Sequence, residues 1–224
     1  MKYKQFKAVM LDMDGVVLDS MQHHAQCWQE ILAEMGYHVD REFVLRHEGD
    51  LGGEVLRDLL GPSAGPEEIT RAREAMPGLL ARQADMYLRL HQPQVSTFPH
   101  VREVLDGLAA RGLPTALVTS SHHSVVGNSL PQTILKSFKV VITAGDVARH
   151  KPHPEPYEKA AKALGVSPRD CLVVENAPAG IAAARAAGST CFAVTTTLGP
   201  AHLGQANGVF GSLLEIGTFL GLFE

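Results

Sequence analysis

Five short apolar runs rich in Val, Ile, Leu and Thr, at residues 7–11, 114–119, 139–143, 171–174 and 190–194, are separated by stretches of helical periodicity. Runs this short predict buried strands. The helical stretches at 99–111, roughly 121–135, 154–164 and 178–187 stop near Gly112, Gly165 and Gly188, residues suited to the left-handed turn that ends a helix. Strand alternating with helix predicts an α/β fold, a doubly wound parallel sheet. The tail, 208–224, with Phe210, Phe219 and Phe223, is read as a last strand and helix.

The alternation is interrupted once. After the first strand come about 75 residues with helical patterning at 21–35, 53–60 and 66–90 and no convincing strand. This predicts an inserted helical cap over residues 17–92, with residues 1–16 and 93–224 forming the core domain and hinges near 16–20 and 91–97, where Pro93 and Pro99 punctuate the return. Charge shifts at the same boundaries: the cap carries 7 Arg, no Lys and 13 acidic residues, and the core 13 basic against 11 acidic.

With 224 residues, 45% apolar and 20% charged, the chain can bury a real core. A net charge of −4 offers no global field for a phosphate polymer or an anionic bilayer, so neither nucleic acid nor membrane is expected as a partner. Cys27, Cys171 and Cys191 are odd in number and widely spaced, fitting no disulfide framework or Cys-x-x-Cys motif, and are read as small hydrophobes in a cytoplasmic protein. The basic start and apolar run ending at Asp12 are too short for a signal peptide. A monomer is the default expectation.

The first strand runs into Asp12-Met13-Asp14-Gly15-Val16-Val17-Leu18-Asp19-Ser20. Two carboxylates directly after a buried strand are costly unless a cation meets them. Their spacing of two puts both side chains on one side of an extended backbone, facing one site at the carboxyl end of the strand, where open α/β sheets bind ligands.

This segment resembles the nucleophile motif Asp-x-Asp-Gly-Val-x-x-Asp-Ser/Thr of the haloacid dehalogenase superfamily, in particular its members with a helical cap after the first strand, the phosphoglycolate phosphatase-like and β-phosphoglucomutase-like enzymes. Three further motifs follow in order: Thr119-Ser120-Ser121 after an apolar strand, Lys151-Pro152, and Glu175-Asn176-Ala177-Pro178-Ala179-Gly180. The resemblance implies a magnesium-dependent phosphatase of small phosphorylated metabolites. Asp12 would be the nucleophile and Asp14 the general acid and base. Thr119 and Ser120 would hold the phosphate at a strand-to-helix junction, and Lys151 would supply a point charge. Magnesium, which favours oxygen ligands, would take Asp12, the main-chain carbonyl of Asp14 and Glu175, with Asn176 able to offer an amide oxygen. His24, where many such relatives carry His, would serve the hinge motion or proton handling, and Gly49 joins it and Ser120 as substrate-binding residues.

Two departures bear on activity. Asn176 replaces the acid many relatives carry in the fourth motif, which predicts weaker magnesium affinity. Where β-phosphoglucomutase-like caps carry Lys-Gly-x-x-Arg to grip a second phosphate, this chain reads Glu48-Gly49-Asp50-Leu51-Gly52, which disfavours the alternative reading of a hexose-phosphate mutase. A non-catalytic binding module would be motivated only by Asn176, and dehalogenase chemistry has no use for the acid at Asp14.

Simpler readings stand beside these. Asp12 and Asp14 could cap a turn, Lys151 could be a solvated loop cation, and Asn176 could cap the helix begun by Pro178. The pairs His23-His24, His122-His123 and His150 with His153 invite a zinc reading, but helical neighbours point roughly 100° apart and no Cys or acid recurs at zinc spacing. Trp28 is read as cap core rather than a substrate platform.

Overall fold

A computed structural model describes residues 6–48 and 54–223. Six parallel strands, β1 (Ala8–Leu11), β2 (Thr115–Val118), β3 (Val140–Ile142), β4 (Cys171–Glu175), β5 (Thr190–Val194) and β6 (Gly208–Phe210), form one sheet in the order β3-β2-β1-β4-β5-β6. The first strand is central, so its carboxyl end opens where the chain winds away in both directions, the crevice such sheets use for ligands.

The strands alternate at period two between two apolar layers. Val9 and Leu11 join Leu117, Leu172, Val174 and Phe192 on one face, while Ala8 and Met10 join Ala116, Val118, Val173 and Cys191 on the other. Because both faces are covered, the strands read as continuous apolar runs rather than alternating ones.

Between β1 and β2 lie α1 (Met21–Glu34), α2 (Arg41–Arg46), α3 (Glu54–Leu60) and α4 (Pro66–Met86), the last passing through Pro77 into a π-helical turn at Tyr87–His91, and then α5 (Val101–Ala110). Among the described residues this stretch holds no strand, in keeping with its helical patterning. The α2 helix was not anticipated; its start is marked by Asp40, whose carboxylate accepts from the Phe43 N–H at 2.6 Å.

The expected single helix over 121–135 is two, α6 (His123–Ser129) and α7 (Gln132–Leu135). Pro131 forces Leu130 into the extended region (φ −90°, ψ 131°), which a helix cannot continue through. Then come α8 (Glu155–Leu164), α9 (Pro178–Ala186) and α10 (Leu213–Phe219), the tail forming β6 and α10 as expected. No helix among the described residues is long and apolar enough to cross a membrane.

Candidate active site

At the carboxyl end of β1 the backbone turns sharply. The Met13 carbonyl accepts from the N–H groups of Val16, Val17 and Leu18, and Gly15 adopts φ +84° beneath Asn176 and Thr197, where a Cβ would overlap both side chains. The Asp12 N–H remains in the sheet, bonded to the Val174 carbonyl at 3.0 Å. The side chains of Asp12 and Asp14 thereby enter one small cavity, shared with Thr119 and Ser120 after β2, Lys151 before α8, and Glu175 and Asn176 at the end of β4. Seven of the residues singled out from the sequence therefore meet at one place.

Lys151 is buried between carboxylates. Its ammonium donates to Asp12 Oδ1 at 2.6 Å, to Glu175 Oε1 at 2.7 Å and to the Val118 carbonyl at 3.2 Å. The solvated-cation reading of Lys151 is thereby overturned. Burial works against its charge, but the two carboxylates outweigh it and raise its pKa above the usual lysine value. Burial pushes the Asp12 pKa well up, Lys151 opposes this, and Glu175 and Asp14 add to it. Asp12, Asp14 and Glu175 outnumber Lys151 and His24, the two basic side chains bonded to them, so carboxyl groups are in excess.

Asp14 is held on both oxygens. Oδ1 accepts from the Ser20 hydroxyl at 2.6 Å and lies 3.1 Å from His24 Nε2, while Oδ2 accepts from the Ser121 hydroxyl at 2.9 Å. Burial raises its pKa, but His24 and the hydroxyls outweigh burial and leave it below the usual carboxylate value. The same pair, read from His24, raises the imidazole pKa against its own burial. His24 is stacked on Tyr87, with centroids 4.0 Å apart, and its Nδ1 lies 2.7 Å from the Gln83 side-chain amide nitrogen.

Glu175 has no free oxygen: Oε1 accepts from Lys151 and the Tyr157 hydroxyl, and Oε2 from the Asn176 N–H at 3.0 Å. Asn176 differs. It is fully buried, its amide nitrogen donates to Thr197 Oγ1 at 2.8 Å, and its Oδ1 has no partner. Nor does it cap α9, whose N-cap position is Ala177. An orphaned buried amide oxygen next to surplus carboxyl groups is the donor chemistry a hard divalent cation takes, so the residues fit magnesium.

Thr119 lends its hydroxyl oxygen to the Ser121 N–H at 3.0 Å, shaping the loop before α6, and Ser120 lines the cavity. Gly49 lies outside the described residues. Glu48 also lines the cavity; burial raises its pKa, the nearby His24 and Lys151 oppose this, and Asp14 and Glu175 add to it. Sequence reasoning gave no role to Ser20, Ser121, Tyr157, Thr197, Gln83 or Gly180. Ser20, Ser121 and Gly180 lie within the recognised motifs, whereas Tyr157, Gln83 and Thr197 carry no local signal because only the tertiary fold brings them near.

Two of the histidines of the zinc reading have other partners. His153 Nδ1 accepts from the Glu155 N–H at the start of α8, and His23 lies against His91. All three cysteines are buried, as small hydrophobes are. Trp28 packs against both apolar layers, as core does, yet it also lines a larger cavity beside the site.

A strand-end aspartate pair with a buried lysine, a hydroxyl loop and an acid–amide pair, arranged around the switch point of a parallel sheet, is chemistry suited to phosphoryl transfer. The chain belongs to the haloacid dehalogenase-like hydrolase family, whose model matches residues 9–194, and is a phosphoric monoester hydrolase of that family. It is similar to the validoxylamine A 7'-phosphate phosphatase of Streptomyces hygroscopicus subsp. limoneus, with 30% identity over 94% of this chain and 96% of that protein. It is also 30% identical to the phosphoglycolate phosphatase of Escherichia coli, over 99% of this chain and 95% of that one. Among solved structures, one from Bacteroides vulgatus provisionally designated a β-phosphoglucomutase matches with TM-score 0.77 and 32% identity, covering 99% of this chain and 90% of that one.

Proposed function

We propose that the chain is a magnesium-dependent, cytoplasmic phosphatase of small phosphate monoesters that works through a phosphoryl group carried on Asp12. The observation that carries this reading is the division of labour between the two aspartates: Asp12 is bonded to a cation, and Asp14 is bonded to proton carriers.

Asp12 attacks phosphorus in line with the leaving oxygen, forming an acyl phosphate. Lys151, the Thr119 hydroxyl and the backbone N–H groups at Ser120 hold the phosphoryl oxygens. Asp14 and His24 together hold one proton, which this arrangement draws toward His24. An arriving phosphate dianion raises the affinity of Asp14 for that proton, which Asp14 then gives to the leaving alkoxide. Asp14, now ionised, takes a proton from the water that attacks the phosphoryl group, and Asp12 is freed. Magnesium, held by Asp12, the Asp14 main-chain carbonyl and Asn176 with Glu175 behind them, would supply a hard positive charge against the phosphoryl oxygens and the surplus carboxylates.

The mutase reading is opposed by Glu48, an acid lining the cavity where a distal phosphate would need a cation. The test is phosphate release from a panel of small esters, with magnesium and with chelator, for wild type and Asp12→Asn. Magnesium-dependent release lost in Asp12→Asn supports the reading. Interconversion of hexose phosphates without release supports the mutase.

A further inference from the structure

The larger cavity beside the site has a volume of ≈ 160 Å³ and lies between α1, α2, α3 and α4. Glu48 and Ser120 line both it and the small cavity holding Asp12, so the two spaces adjoin. Its polar groups are His24, Glu48, Ser120 and Ser121 next to that site, together with Tyr37, His47, Gln83 and His122. The rest is hydrocarbon: Leu32, Leu56 and Leu59 face Met76, Leu79 and Leu80, the last three following helical spacing along one side of α4. No Lys or Arg is among the described residues that line it, and residues 49–53 contain no Lys, Arg or His.

A mainly apolar wall gains free energy when hydrocarbon covers it, and a buried cavity of about 150 Å³ lined by Leu, Ile and Phe takes up benzene. A polyhydroxylated sugar would set hydroxyls against leucine and methionine over most of the wall. A second phosphate or a carboxylate would find no Lys or Arg among the described lining residues, would meet Glu48, and would compete with Asp14 for His24.

Resting on the phosphatase reading, we infer that the preferred substrate is the monophosphate ester of a compact, uncharged, apolar alcohol, whose hydrocarbon body fills this cavity while its phosphate reaches Asp12.

The experiment measures kcat/KM for phosphate release from ethyl, butyl, hexyl and benzyl phosphate, glucose 6-phosphate and phosphoglycolate. Trp28 is the sole tryptophan and lines the cavity, so its emission is followed in parallel during titration with methylphosphonate and hexylphosphonate, which cannot be hydrolysed. The expected result is a rise of about fourfold in kcat/KM per added methylene, with benzyl and hexyl phosphate ahead of both charged or hydroxylated esters. In Met76→Asp the dependence on chain length is expected to flatten. A series flat to within about twofold, or a preference for glucose 6-phosphate or phosphoglycolate, overturns the inference and leaves the phosphatase reading intact. No release from any ester instead overturns the phosphatase reading, and Trp28 then decides the cavity. Hexylphosphonate half-saturating at a concentration at least about tenfold below methylphosphonate supports an apolar binding site, and equal concentrations refute it.

Discussion

The ammonium nitrogen of Lys151 lies 2.6 Å from Asp12 Oδ1, across 139 residues of sequence, and is the only side-chain cation bonded to either Asp12 or Glu175 among the described residues. Removing it leaves two buried carboxylates facing each other. Breaking a buried ion pair from one side costs about 3–5 kcal/mol, so Lys151→Met is expected to lose that much stability in urea denaturation at neutral pH along with its phosphate release. A variant of wild-type stability would contradict this role.

Gly180, in the first turn of α9, lies so close to Glu175 that a Cβ there would overlap the carboxylate. Gly180→Ala must push Glu175 away from Lys151 and Asn176. We expect phosphate release to fall by about tenfold or more, the scale on which small displacements of catalytic groups act. Gly204→Ala, where a Cβ meets open space, serves as the control and should leave the rate unchanged.

The loop carrying Lys151 is tied down by Glu155, whose carboxylate accepts from the N–H groups of Ala148 and Arg149. The Ala148 N–H first, then Lys159 and the Arg149 N–H, lower the Glu155 pKa from 4.5 to about 2. Because the folded value is the lower one, the stabilisation is present above pH 4.5 and is lost as pH falls toward about 2. Thermal melts should show wild type more stable than Glu155→Gln at neutral pH, with the difference shrinking through that window. A pH-independent difference would count against it.

At Asn176 a neutral amide oxygen is offered where an acid would add charge. Asn176→Asp should lower the magnesium concentration needed for half activity several-fold, and Asn176→Ala should raise it, because ligand charge sets the affinity of such sites. Unchanged requirements in both variants would remove Asn176 from the metal's surroundings.

Legibility followed the range of the interactions. The sheet could be read because strands buried on both faces must be short apolar runs, and the strand-end residues Asp12, Thr119 and Glu175 because each sits where its strand stops, whereas Lys151, nine residues beyond β3, was legible only through its Lys-Pro motif. The break at Leu130 was missed although Pro131 announces it, since apolar periodicity runs straight through. His24 could be placed on its helix but not against Asp14, because that contact depends on how α1 packs over the core. Gln83 and Tyr157 reach the site from 59 and 18 residues away from their partners, and nothing local marks either.

The most direct test is acid quenching of the enzyme during turnover, followed by mass mapping of any phosphoryl group. The account predicts one phosphoryl group on the peptide containing Asp12, appearing only with magnesium and absent from Asp12→Asn. Turnover retained in Asp12→Asn, or a phosphoryl group found on another residue, would contradict it.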